Sequence, residues 1–79
     1  DTFMTDLGLY LAKRTVNKAE VSRRTGISKS RLTQLTSNDS AKLRADELYL
    51  IALAINADPG EMFKELFEGV GLKDKNKTL

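Results

Sequence analysis

Apolar residues recur at spacings of three and four along most of this chain, and the intervals between them hold the residue types that start and stop helices. Over residues 5–14, Leu7, Tyr10 and Leu11 fall on one face, Thr5 can cap the N-terminus, and Asp6 favours the positive end of the helix dipole. Gly8 costs this helix about 1 kcal/mol of propensity relative to alanine, and its position either lets another helix approach closely or is incidental. Asn17 is the N-cap of a second helix, with Glu20 at the capping-box position from which a carboxylate reaches back. That helix runs through Val21 to Thr25 and stops at Gly26, the residue type that enters a left-handed conformation at little steric cost. Ile27 supplies an apolar anchor in the turn and Ser28 a further N-cap. In the helix expected at about 28–36, Leu32 and Leu35 face the core with Ile27. Lys29, Ser30, Thr33 and Gln34 are then left pointing outward or at its N-terminal end, a compact, polar and positive group.

Thr36 to Leu43 reads as a polar loop containing Ser37, Asn38, Asp39 and Ser40. Residues 45–57 form a strongly apolar helix in which Leu48, Ile51, Ala52 and Ile55 make one face, and Tyr49, Leu50, Leu53 and Ala54 widen it almost all round, as expected of a central core helix. Asp58 as N-cap, Pro59 at the first helical position and Glu61 at the capping-box position open a last helix over 59–68, carrying Met62, Phe63, Leu66 and Phe67. Gly69 and Gly71 end it. The pattern predicts an all-α domain of five short helices over residues 1–70, followed by a flexible lysine-rich tail at 71–79.

A chain of 79 residues with 41% hydrophobic content closes a single small core, so an active-site cleft between domains is not expected. The absence of cysteine and histidine removes disulfides, thiol catalysis, Ser/His triads and the usual zinc sites. Asp46 and Glu47 are explained as first-turn charges favourable to a helix dipole, and no constellation argues for an enzyme, a metal, a cofactor or a small-molecule substrate. No apolar run approaches the ~20 residues that span a bilayer, and no signal-peptide pattern opens the chain, so no membrane association and a cytoplasmic location are expected. The leading Asp1 suggests a trimmed N-terminus.

The formal net charge of +2 conceals a segregation. Between Lys13 and Arg44 stand nine basic residues against two acidic ones, Glu20 and Asp39, a local charge of +7, whereas residues 45–79 carry −3. The positive end is expected to bind a polyanion. Charge alone is equally compatible with a solvated helix surface that keeps the protein soluble.

Two helices joined at Gly26, with Val21, Gly26, Ile27, Ser28, Leu32 and Leu35 at their places, and a run from Leu50 to Ile55 followed by Asp58 and Pro59, resemble the lambda repressor/Cro-like family of DNA-binding domains, also called the XRE or Cro/C1 type. The resemblance covers roughly residues 5–67 and implies a lambda-repressor-like five-helix fold whose second and third helices form the helix-turn-helix. It departs from the family pattern at Lys18, where glutamine is common, at Ser22, where alanine is common, and at Thr25, where an apolar residue is usual and packing at the turn is expected to weaken. Lysine pairs with phosphate as a point charge but cannot make glutamine's amide contact.

Carried over position by position, the resemblance implies that Lys29, Ser30, Thr33 and Gln34 face bases. Lysine can donate to guanine O6 or N7, glutamine can pair bidentately with adenine, and the threonine methyl can meet thymine. Lys13, Lys18, Arg31, Asn38, Lys42 and Arg44 would hold phosphates and set register, while Arg23 and Arg24 are expected to face solvent. Such domains often bind two half-sites as homodimers, which makes Met62, Phe63 and Phe67 a candidate dimer seam; the competing explanation is core, since an apolar stripe at this spacing is usually buried within its own domain. The function implied is that of a sequence-specific double-stranded DNA-binding transcriptional regulator, a repressor. The alternative keeps the fold and changes the partner: a helical protein-interaction or antitoxin-type module with secondary DNA binding.

Overall fold

Each expected cap finds its donor in the computed structural model, which describes residues 4–73. Thr5 caps α1 (Asp6–Lys13) by accepting from the Gly8 N–H, and Asn17 Oδ1 caps α2 (Lys18–Thr25) by accepting from Ala19 and Glu20. Ser28 Oγ accepts from Arg31 N–H at the start of α3 (Lys29–Ser37). The N–H of Arg44 donates to Glu47 Oε1 ahead of α4 (Ala45–Ala54), and Asp58 accepts from Glu61 N–H at the start of α5 (Pro59–Phe67). These five helices, with no strand among the described residues, are the all-α fold expected. The tail expected over 71–79 lies, from residue 74 onward, outside the described residues.

One apolar core joins them. Leu7, Tyr10 and Leu11 of α1, Val21 of α2, Ile27 of the turn, Leu32 and Leu35 of α3, Leu48, Ile51 and Ala52 of α4 and Met62 of α5 are all buried. Helix α3 is held by α1 on one side and α2 on the other, α4 packs on α2 and α5, and α5 closes against α1. The close approach anticipated at Gly8 is to α3: the Thr5 N–H donates to the Thr36 carbonyl at 3.0 Å and Thr5 Oγ1 donates to the Leu35 carbonyl at 2.7 Å, directly over the glycine. Two carbonyls at the C-terminal end of α3, where no further helical turn exists to use them, are satisfied from α1.

Four sequence expectations are corrected. Neither Glu20 nor Glu61 closes a capping box among the described hydrogen bonds; the Glu20 carboxylate pairs with Arg23 one turn on. The third helix does not give way to a loop at Thr36 but runs through Ser37, with Thr36 buried and its hydroxyl donating to the Leu32 carbonyl at 2.9 Å. The fourth helix ends at Ala54 rather than at 57, because Asn56 adopts φ 60°, a left-handed conformation that asparagine tolerates better than most residues and that no helix can continue through. That helix is also not apolar-buried all round: Tyr49 and Leu53 are about half exposed. No helix among the described residues is long and apolar enough to cross a membrane.

Candidate nucleic-acid interface

The turn between α2 and α3 is built from its own side chains. Gly26 sits at φ 82° and its N–H closes on the Ser22 carbonyl at 2.9 Å. Thr25, expected to weaken this turn, is half-buried and stitches it: its hydroxyl donates to the Val21 carbonyl at 2.7 Å and accepts from the Ile27 N–H at 3.1 Å. A hydroxyl here satisfies the Ile27 N–H, which a methyl could not. Ile27, buried below, then fixes the angle at which Ser28 launches α3.

Along α3 the two faces separate cleanly. Leu32 is fully buried and Leu35 and Thr36 nearly so, whereas Lys29, Ser30, Thr33 and Gln34 are all exposed. At 100° per residue these four positions occupy one continuous arc. Ser37 belongs to the same arc, four residues after Thr33, and its hydroxyl donates to the Thr33 carbonyl at 2.6 Å. It was missed because the helix was expected to end before it; the i+4 spacing from Thr33 was the available signal.

The cations around this arc are in different states. Lys29 and Lys42 are exposed and make no side-chain hydrogen bond to the described residues. Lys18 Nζ donates to Thr36 Oγ1 at 3.3 Å, which draws its stem across the cleft between α1 and the end of α3. Lys13 pairs with Glu65 at 3.3 Å and Arg44 with Asp46 at 3.2 Å, all four groups exposed. Asn38 Oδ1 accepts from the N–H and hydroxyl of Ser40 and shapes the loop that follows α3. Arg24, expected to face solvent alone, donates to the Ala54 carbonyl at 2.8 Å and so caps the C-terminus of α4.

Arg31 departs furthest from expectation. Its Nε and Nη2 meet Glu47 Oε2 and Oε1 at 2.8 and 3.0 Å, and Nη2 also donates to the Lys42 carbonyl at 2.8 Å. The hydrogen bond from Arg31 holds the Glu47 carboxyl below its ordinary pKa against the opposing effect of burial, helped by the Arg44 N–H; the same bond raises the Arg31 pKa. The Nε and Nη2 donors are thus committed within the chain, which leaves Nη1 as the part of the guanidinium open to a phosphate.

A family model for the Cro/C1-type helix-turn-helix DNA-binding domain matches residues 7–67, from the first buried leucine of α1 to the end of α5. The chain belongs to the Cro/C1-type family. Neither a curated protein nor a solved structure matches it. In this Cro/C1-type domain the helix-turn-helix is α2–Gly26–α3, and DNA is the class of partner that the family binds. The dimer seam expected at Met62, Phe63 and Phe67 needs one correction: Met62 is fully buried in the core, where it joins α5 to the rest of the fold. Phe63 and Phe67 remain exposed, their rings 5.0 Å apart.

Proposed function

We propose that this Cro/C1-type domain is a sequence-specific transcriptional regulator that inserts α3 into the major groove of double-stranded DNA. One observation carries the reading: Lys29, Ser30, Thr33 and Gln34 form an exposed polar edge on a helix whose opposite side is locked in the core by Leu32 and Leu35. A B-form major groove admits one such helix, and these side chains include a guanine donor, a thymine-facing methyl and an adenine-pairing amide. Lys42, Asn38, Arg44, Lys18 and Lys13 contact the phosphates and set the register. Repression is the regulatory sense proposed, since occupying a site requires nothing beyond affinity for it, and the cytoplasm is where such a protein meets its DNA.

A second copy binds the adjoining half-site, with Phe63 and Phe67 at the seam. The exposed Phe63, Phe67, Tyr49 and Leu53 also favour a second reading, a protein-interaction or antitoxin-type module whose DNA contact is secondary. Fluorescence-anisotropy titration of duplexes selected from a random pool, against scrambled duplexes at two salt concentrations, separates the two. The first reading expects tight, salt-dependent and discriminating binding that Lys29→Ala with Gln34→Ala abolishes while the fold is kept. Equal, weak and salt-insensitive binding to both duplexes refutes it. Weak duplex binding unchanged by Lys29→Ala with Gln34→Ala, alongside protein association that is lost with Phe63→Ser and Phe67→Ser, supports the second.

A further inference from the structure

The ion pairs of this domain are of two kinds. Lys13–Glu65, Arg23–Glu20 and Arg44–Asp46 leave each partner's side chain about half or more exposed, and pairs of that sort contribute little. Arg31–Glu47 is different: the side chains retain 30% and 12% of their exposure, and the contact is bidentate. Three separate segments meet on it. Arg31 comes from the first turn of α3, the Lys42 carbonyl from the connection to α4, and Glu47, which also accepts from the Arg44 N–H at 2.9 Å, from the first turn of α4.

We propose that Arg31 and Glu47 are a positioning pair for sequence reading: Glu47 withdraws the Arg31 guanidinium from the DNA backbone and uses it to fix the base-reading edge of α3 relative to Lys42. The assignment rests on the reading of α3 as the groove-inserting helix. It follows from what each end of the pair carries. Arg31 shares its turn of α3 with Lys29 and Ser30, which lie on the reading edge. On the other side the guanidinium grips the backbone of Lys42 itself, a residue whose side chain is exposed and unpartnered among the described residues. The separation between a base-facing lysine and a phosphate-facing lysine is thereby set by one planar fork. Lysine at 31 cannot reproduce it, because an ammonium presents a point charge and not a pair of parallel donors.

The test is anisotropy binding of the full chain to its selected duplex and to a scrambled one, across a series of salt concentrations, with circular dichroism confirming the fold of each variant. Lys42→Ala serves as the reference for a lost phosphate contact and should reduce the slope of log K against log salt by about 0.9. Arg31→Lys, which keeps the charge, should reduce discrimination between the duplexes about 5- to 10-fold, which at 1.4 kcal/mol per tenfold is about 1–1.4 kcal/mol, the low end of what a well-placed base contact carries. Glu47→Gln should reduce it by a similar factor and steepen the salt slope by up to about 0.9, since it frees a cation beside the duplex. Combining the two changes should lower discrimination no further than either alone. Arg31→Lys binding and discriminating like the wild type, with Arg31→Ala lowering the slope as Lys42→Ala does, identifies Arg31 as an ordinary phosphate ligand and overturns the proposal. Variants that melt earlier but retain full discrimination overturn it as well, by reducing the pair to a stabilising contact. A wild-type chain that prefers no duplex sinks the groove-reading assignment itself, and is recognised before any variant is measured.

Discussion

Replacing Gly8 by alanine tests how α1 holds the reading helix. A Cβ at this position would stand 2.3 Å from the Thr36 carbonyl oxygen, 3.2 Å from its carbonyl carbon and 3.3 Å from Met4 Cβ. The obstruction is backbone, so no side-chain rotation relieves it; α1 and the end of α3 must separate by about 1 Å to restore an ordinary carbon–oxygen contact. That movement stretches the bonds from Thr5 N–H to Thr36 and from Thr5 Oγ1 to Leu35, now 3.0 and 2.7 Å, beyond useful length. Two such bonds contribute about 1 kcal/mol each and overpacking adds roughly 1–3 kcal/mol, while alanine returns about 1 kcal/mol of helix propensity. The expected net loss is about 2–4 kcal/mol. For a domain of this size that lowers Tm by at least about 10 °C. Thermal and urea unfolding followed by far-ultraviolet circular dichroism measures it. A Tm equal to or above that of the wild type would mean that propensity alone governs position 8, and that α1 does not press on α3 through this glycine.

Met62→Ala should cost about 2–5 kcal/mol in urea unfolding because the side chain is fully buried, whereas Phe63→Ser should stay within about 0.5 kcal/mol and weaken only self-association in sedimentation; similar losses for both would undo the distinction between core and seam. The lowered Glu47 pKa makes its contribution fully present above the ordinary carboxylate range and lost as the pH falls through the lowered value. With Arg31 facing the carboxylate from α3 and the Arg44–Asp46 pair beside it, Glu47→Gln should therefore be less stable than the wild type at pH 7, with the gap closing toward pH 3; a gap independent of pH rules this linkage out. The salt slope per bound copy should lie near −3.6, from Lys13, Lys18, Lys42 and Arg44 at about 0.9 each. A slope near −8 would mean that all nine basic residues between Lys13 and Arg44 reach phosphate.

The parts of this fold legible in the sequence are those fixed by neighbours a few residues apart. Thr5, Asn17, Ser28 and Asp58 cap helices because their side-chain oxygens reach N–H groups two or three residues on, and Gly26 ends α2 because its φ is positive. The exposed edge of α3 follows from periodicity in the same way. What escaped depends on competition or on distance. Glu20 had two uses for its carboxylate within one turn, and Arg23 took it. The end of α4 was set by Asn56, which looks like any polar residue until its φ is known. Tyr49 and Leu53 carry the same spacing as core residues, and periodicity cannot distinguish a face pressed on the core from one left at the surface. The partner of Arg31 lies sixteen residues on, across a loop.

Charge shows why that last gap matters most. Nine cations between Lys13 and Arg44 point to a positive end that binds a polyanion, and the fold sorts them further by what they are bonded to. Arg24 is used on the carbonyl of Ala54, Arg31 on Glu47 and the carbonyl of Lys42, and Arg14 lies 4.3 Å over the ring of buried Tyr10. These arginines commit their planar groups to contacts within the chain, Arg14 and Arg24 at the exposed surface and Arg31 half-buried, where their geometry aligns helices. The lysines are treated otherwise: Lys29 and Lys42 stand free of the described residues, and Lys13 and Lys18 hold only long contacts of 3.3 Å that a phosphate can displace at little cost. Rigidity at the reading edge and mobile charge around it are distinct physical requirements. In this domain they fall largely to different residue types, the arginines bracing the scaffold from which the lysines reach out.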